Sequence, residues 1–161
     1  MLSERLIVPK ILKEVTLWVH PEGRVVGSLY LRKQSVNHAG AELPSEALNH
    51  PDPFIVFRCD QPSQLRFYNR RSIIRVEYPG RDSHVARALK PLACHLHMMD
   101  GSLISGTIEE PLHPDRARLL DYLNKADDNF IKLYVDEATV LVNKSYIIHV
   151  HVESLDEMST D

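Results

Sequence analysis

Phe67-Tyr68-Asn69-Arg70-Arg71-Ser72-Ile73-Ile74-Arg75-Val76 and Leu141-Val142-Asn143-Lys144-Ser145-Tyr146-Ile147-Ile148-His149-Val150 are two versions of one phrase, the second starting 74 residues after the first (67 to 141). A second correspondence precedes it in each case. Ala47-Leu48-Asn49-His50-Pro51-Asp52-Pro53-Phe54-Ile55 matches Tyr122-Leu123-Asn124-Lys125-Ala126-Asp127-Asp128-Asn129-Phe130-Ile131, with one residue more in the later copy. Order and spacing hold to within short loop changes. A recurrence of this length implies two copies of one small unit, each building a β-rich lobe or sharing a core with its twin.

Composition sets the bounds. A unit of roughly 60–75 residues buries only about 60% of its unfolded surface, so two copies in a chain of 161 residues gain by packing together. Apolar residues at 43% and charged residues at 25% are ordinary for a globular chain. No apolar run approaches the ~20 residues that span a bilayer, and the start, Met1 to Lys10, lacks the features of a signal peptide. No membrane association is expected. Cys59 and Cys94 are the two thiols, expected reduced and buried, which fits a cytoplasmic protein. A net charge of −3 argues against a nucleic-acid footprint covering the whole surface.

Outward from the repeated phrase, residues 1–13 read as an N-terminal arm and 14–78 as the first unit. Residues 79–92 form a connector, 93–152 the second unit, and 153–161 a flexible acidic tail. Val15, Leu17 and Val19 alternate inward with the period of a half-buried strand. Pro21-Glu22-Gly23 turns the chain into Arg24–Leu31, where Gly27 predicts a bulge or bend. A helical turn is expected between Glu42 and Asn49, then strands at Phe54–Cys59, Leu65–Tyr68 and Ile73–Tyr78. In the second unit, Cys94–Met98, the Asp100-Gly101 turn and Ser102–Ile108 make a hairpin. A helix follows over 114–124, with Leu119, Leu120 and Leu123 at helical spacing, and then strands at Phe130–Val135, Thr139–Val142 and Tyr146–Val152. The expected fold class is mostly β: two tandem, pseudo-symmetric five-stranded small barrels, each with a short helical insertion.

Asp100-Gly101-Ser102-Leu103-Ile104-Ser105-Gly106-Thr107-Ile108 resembles the first signature of Sm-like proteins, an aspartate-glycine turn followed by a glycine in the next strand. The Asn69–Ser72 and Asn143–Tyr146 turns, each followed by Ile-Ile, sit where Sm-like proteins place the turn between their last two strands. Residues 119–124, with Phe130-Ile131 and Val142-Asn143-Lys144, are also similar to uncharacterised bacterial domains of this shape. The helix lies mid-unit, and the basic-glycine pair of the last Sm turn is absent. What the resemblance implies is therefore the small barrel.

Three groups of residues could carry a function. His95 and His97 alternate with Cys94, Leu96 and Met98; His149 and His151 alternate with Ile148, Val150 and Val152. With the apolar set inward, the imidazoles face outward, and pairing of first and last strands would make the rows neighbours able to chelate zinc or nickel. Arg66, Arg70, Arg71 and Arg75 cluster around one turn beside Phe67 and Tyr68, with Lys144 at the matching turn, as an RNA or single-stranded nucleic-acid surface requires. Trp18 alternates with Leu17 and Val19, and with Tyr30 it marks an interface with a partner or the other unit.

Catalytic residues are not expected. The chain has no phosphate-binding glycine loop, G-x-S-x-G elbow, dinucleotide fingerprint or H-E-x-x-H, and no cofactor is expected. The leading expectation is a non-catalytic intracellular binding or scaffolding protein with a protein partner, and with self-association into a homo-oligomer left open. RNA binding and metal binding are the alternatives.

Overall fold

Alternating apolar residues settle into ten antiparallel strands in a computed structural model that describes residues 10–82, 91–109 and 116–152. Residues 1–9 of the expected arm, the middle of the connector and the tail lie outside those. The first half contains β1 (Lys10–Val19), β2 (Gly23–Arg32), helix α1 (Pro44–Leu48), β3 (Phe54–Cys59), β4 (Gln64–Asn69) and β5 (Ile73–Pro79). The second contains β6 (Leu92–Met98), β7 (Leu103–Ile108), helix α2 (Arg116–Leu123), β8 (Phe130–Val135), β9 (Ala138–Asn143) and β10 (Ile147–Val152). No helix among the described residues is long and apolar enough to cross a membrane.

The expected pair of closed barrels is replaced by one open ten-stranded sheet, ordered β10-β6-β7-β8-β9-β5-β1-β2-β3-β4. Each half reads fifth-first-second-third-fourth. Neither half closes because the outer side of β5 is taken by β9 of the other half, with Arg75 opposite Val142 and Glu77 opposite Val140. Among the described residues two strands, β4 and β10, are left as edges. The arm is shorter than expected, because Lys10 to Lys13 find ladder partners in Arg32 to Leu29 and extend β1.

Corresponding bonds recur in the two halves. Asn69 Oδ1 accepts the Arg71 N–H and Asn143 Oδ1 accepts the Ser145 N–H, both at 2.9 Å, starting a 3-10 turn in each half. The N–H groups of Arg70 and Lys144 reach the carbonyls of Pro53 and Asn129, and those of His20 and Met99 reach Ser72 and Tyr146.

Gly27 and Gly106 occupy the same ladder position, opposite Val15 and Cys94. Of the bulge or bend expected at Gly27, a bulge is absent, since the β1–β2 register runs through it unbroken. The reason for glycine is close approach. A Cβ on Gly27 would stand 2.1 Å from the Arg58 carbonyl oxygen and 2.6 Å from the Phe57 ring; on Gly106 it would stand 2.7 Å from the Tyr134 carbonyl oxygen.

Side chains converge on two cores. Leu17, Leu29, Phe57, Ile73 and Val76 centre the first, with Phe130 and Leu141 contributed by the second half. Leu96, Met98, Ile108, Leu133 and Val142 centre the other, joined by Ile74 and partly by Trp18 from the first half. Cys59 and Cys94 are free and buried, one in each core.

Helix α1 begins with Pro44 at a position that needs no N–H donor, and Glu46 ties its start to the preceding loop. Burial pushes the Glu46 pKa up, but donors from Leu43 N–H, Asn37, Ser35 and His38 outweigh it and hold the carboxyl at about 2. In the unfolded chain the group titrates near its ordinary 4.5. Its contribution is thus complete above that value and fades as pH falls through 2. The Ala39 carbonyl and then the Glu46 carboxylate raise His38, whose share is present below 6.5 and is lost as pH rises through its folded value. Glu46→Gln is expected to lower stability by on the order of 2 kcal/mol at pH 7, with the gap closing near pH 2. Urea midpoints across that range measure it; a gap independent of pH would show that the carboxylate charge contributes nothing.

Candidate functional site

The hairpin β6–β7 and the return of β10 onto β6 bring the four histidines together. His97 lies opposite His149 and His95 opposite His151 in the β6–β10 ladder. Their rings form a zigzag stack: His95 on His151 at 4.7 Å, His151 against His97 at 5.2 Å, and His97 on His149 at 4.2 Å. One ring nitrogen from each of His97, His149 and His151 lies within 4.8 Å of the others. His149 and His151 are exposed and His97 is half-buried. His95 Nδ1 is 2.7 Å from Ser105 Oγ. Partial desolvation, followed by the neighbouring His149, His151 and His95, lowers the pKa of His97, which favours the neutral, metal-binding form.

The arginines behave differently. Arg70 is buried, lowered in pKa by that burial, and its Nη1 donates to the carbonyls of Leu48 and His50 at the end of α1. Lys144 does the same work in the other half, its Nζ donating to the carbonyls of Leu123 and Lys125 at the end of α2, at 2.9 and 2.8 Å. Both cations cap a helix C-terminus. Arg66 donates to Glu22 at 2.8 Å and to Tyr68, while Arg75 stacks over the Trp18 ring at 4.0 Å and lies 3.4 Å from Glu77. Arg71 is the exposed member of the set. Of the five basic residues, Arg66, Arg70, Arg75 and Lys144 are thus engaged within the protein, and Arg70 and Arg71 line one pocket with Asn143 and Ser145.

Trp18 is half-buried and packs against the second core, so it joins the halves. Tyr30 lies elsewhere, lining a groove with Phe54, Ile55 and Val56. Strand register places Tyr30, Phe54, Val56, Leu65 and Phe67 on one face. Phe54, Val56, Leu65 and Phe67 are exposed there, at the β4 edge. Sequence reading passed over this patch because alternation in β4 reads equally well with either side inward.

A buried polar cluster also went unread. Lys132 Nζ lies 2.7 Å from Asp82 Oδ2, whose carboxylate also accepts the Tyr78 hydroxyl at 3.0 Å. Burial and then Asp82 push the Tyr78 phenol well above its ordinary value. Beside it, Arg81 pairs with Glu109 at 2.8 Å and lies 4.1 Å over the Tyr134 ring. These partners satisfy one another inside the protein, the pattern of a structural network. Burial pushes the Cys94 thiol up to about 11, leaving little thiolate at neutral pH for nucleophilic chemistry.

No family model matches the chain, and neither a curated protein nor a solved structure is significantly similar to it.

Proposed function

We propose that the protein is a non-catalytic binding and scaffolding module, built from a duplicated β unit, whose two open sheet edges join it to other protein chains. The observation that carries this is an asymmetry in burial between matching positions. Phe67 and Leu141 hold equivalent places in the repeated phrase, yet Phe67 is 65% exposed and Leu141 is 0%. Ile148 is 62% exposed where its counterpart Ile74 is 5%. Phe54 and Leu65 stand likewise exposed where Phe130 and Thr139 are buried. The covered members lie on and beside the β5–β9 junction; the uncovered ones lie on and beside β4 and β10.

Apolar residues on an unpaired strand invite strand addition. The β5–β9 junction supplies a template for the occupant: β10 of one copy laid on β4 of the next. Transferring its register sets Val150 opposite Phe67 and His149 opposite Tyr68. It also sets Asn124 against Phe54, as Asn49 now exchanges two hydrogen bonds with the Phe130 backbone at 2.8 and 3.2 Å. Such a head-to-tail contact closes into a ring or extends as a filament, depending on its rotation.

Light scattering is expected to give a mass that rises with concentration, falling to that of one chain in Phe67→Glu and weakened in Asn124→Ala. The pair Phe67→Cys with Val150→Cys should form an intermolecular disulfide, because opposed strand residues have Cα atoms roughly 4.5–5.5 Å apart, within disulfide reach. A single-chain mass at every concentration, with no cross-link, would overturn the reading. Single-stranded nucleic-acid binding has less support, since of Arg66, Arg70, Arg71 and Arg75 only Arg71 is exposed. A salt-sensitive RNA complex lost in Arg71→Glu would favour it instead.

A further inference from the structure

We infer that His97, His149 and His151 form a binding site for a divalent first-row transition ion of the nickel, copper and zinc group, with His95 beside them. The first support is placement. Three imidazoles from two paired strands offer ring nitrogens within 4.8 Å of one another. A tetrahedral zinc site with bonds of 2.0–2.1 Å needs those nitrogens about 3.3 Å apart, a closure that rotation of two exposed rings supplies. The donors are all imidazole nitrogen, which suits nickel, copper and zinc and gives magnesium or calcium no oxygen ligand.

The second support is comparison within the chain. Register makes Thr16, Trp18, Arg75 and Glu77 in β1 and β5 the counterparts of His95, His97, His149 and His151 in β6 and β10. In the first half Arg75 is stacked on Trp18 and lies close to Glu77. In the second half four imidazoles replace them. Among the described residues, the ring nitrogens of His97, His149 and His151 have no hydrogen-bond or ion-pair partner. Three like groups stacked without such partners are poorly matched until an ion accepts their lone pairs. All three ligands come from one chain, so the ion needs no second copy, although His149 also lies on the β10 edge proposed above to meet β4.

The test uses full-length protein without a polyhistidine tag, titrated with nickel or zinc chloride alone. Calorimetry is expected to show one ion per chain, with a melting-temperature rise of about 5–10 °C at an ion concentration near 100 times the dissociation constant. His97→Asn and His151→Asn should each weaken binding at least tenfold, and His50→Asn should leave it unchanged. The copper-loaded protein should show coupling of the electron spin to three ring nitrogens. Magnesium should give no shift. Equal affinity in wild type and in the folded His97→Asn and His151→Asn variants would overturn the assignment, as would a thermal shift that magnesium reproduces.

Discussion

Asp82→Asn is expected to lower stability by about 3–5 kcal/mol at neutral pH, the range for removing one partner of a buried ion pair. The carboxylate is almost completely enclosed and accepts from both Lys132 Nζ and the Tyr78 hydroxyl. The amide that replaces it carries no charge, so the Lys132 ammonium on β8 is left enclosed without its counter-ion. Most of the effect therefore comes from the stranded cation rather than from a lost bond. It follows that Asp82→Asn combined with Lys132→Met should recover much of the loss, because the pair is then replaced by groups that need no ion. Urea unfolding of the two single variants and the double variant measures the coupling. Additive losses would show that Asp82 and Lys132 act separately and that the cluster is not a unit.

Gly27→Ala should be destabilising by about 3 kcal/mol, at the upper end of overpacking effects, and Gly106→Ala by less. The sign is the informative part. In a strand with room for a methyl group, alanine for glycine stabilises by roughly 0.5–1 kcal/mol, since the unfolded chain loses freedom. Here the methyl carbon would overlap the Arg58 carbonyl at 2.1 Å, and backbone cannot rotate aside as a side chain can. At Gly106 the nearest atom is 2.7 Å away, so a smaller displacement suffices. Denaturation midpoints in the order wild type, Gly106→Ala, Gly27→Ala are expected; a Gly27→Ala midpoint at or above wild type would mean β3 does not pass so close to β2.

The strands were legible because alternation is a local property. Val15, Leu17 and Val19, or Cys94, Leu96 and Met98, announce an inward row without reference to anything distant. The matching turns were legible for a similar reason, as Asn69 and Asn143 act on backbone two residues away. The adjacency of the histidine rows followed from one further step, the pairing of a first strand with a last. Closure was not legible, because nothing local in β5 says whether its outer edge meets its own half or β9. Arg70 misled for a physical reason: a guanidinium is exposed by default, and only the carbonyls of Leu48 and His50 explain its burial. Lys132 and Asp82 lie 50 residues apart with no pattern joining them.

Strand β5 has a consequence for how the molecule comes apart. It sends Ile73, Val76 and Tyr78 into one core and Ile74 into the other, and both its edges are hydrogen-bonded. A strand so committed on every side cannot peel away while either half stays intact. The two halves are thus welded at a shared rib, and heat or denaturant should dismantle them in one cooperative step. Severing the chain between them would give two fragments that each lack something the other holds: Phe130 and Leu141 on one side, Ile74 and Trp18 on the other.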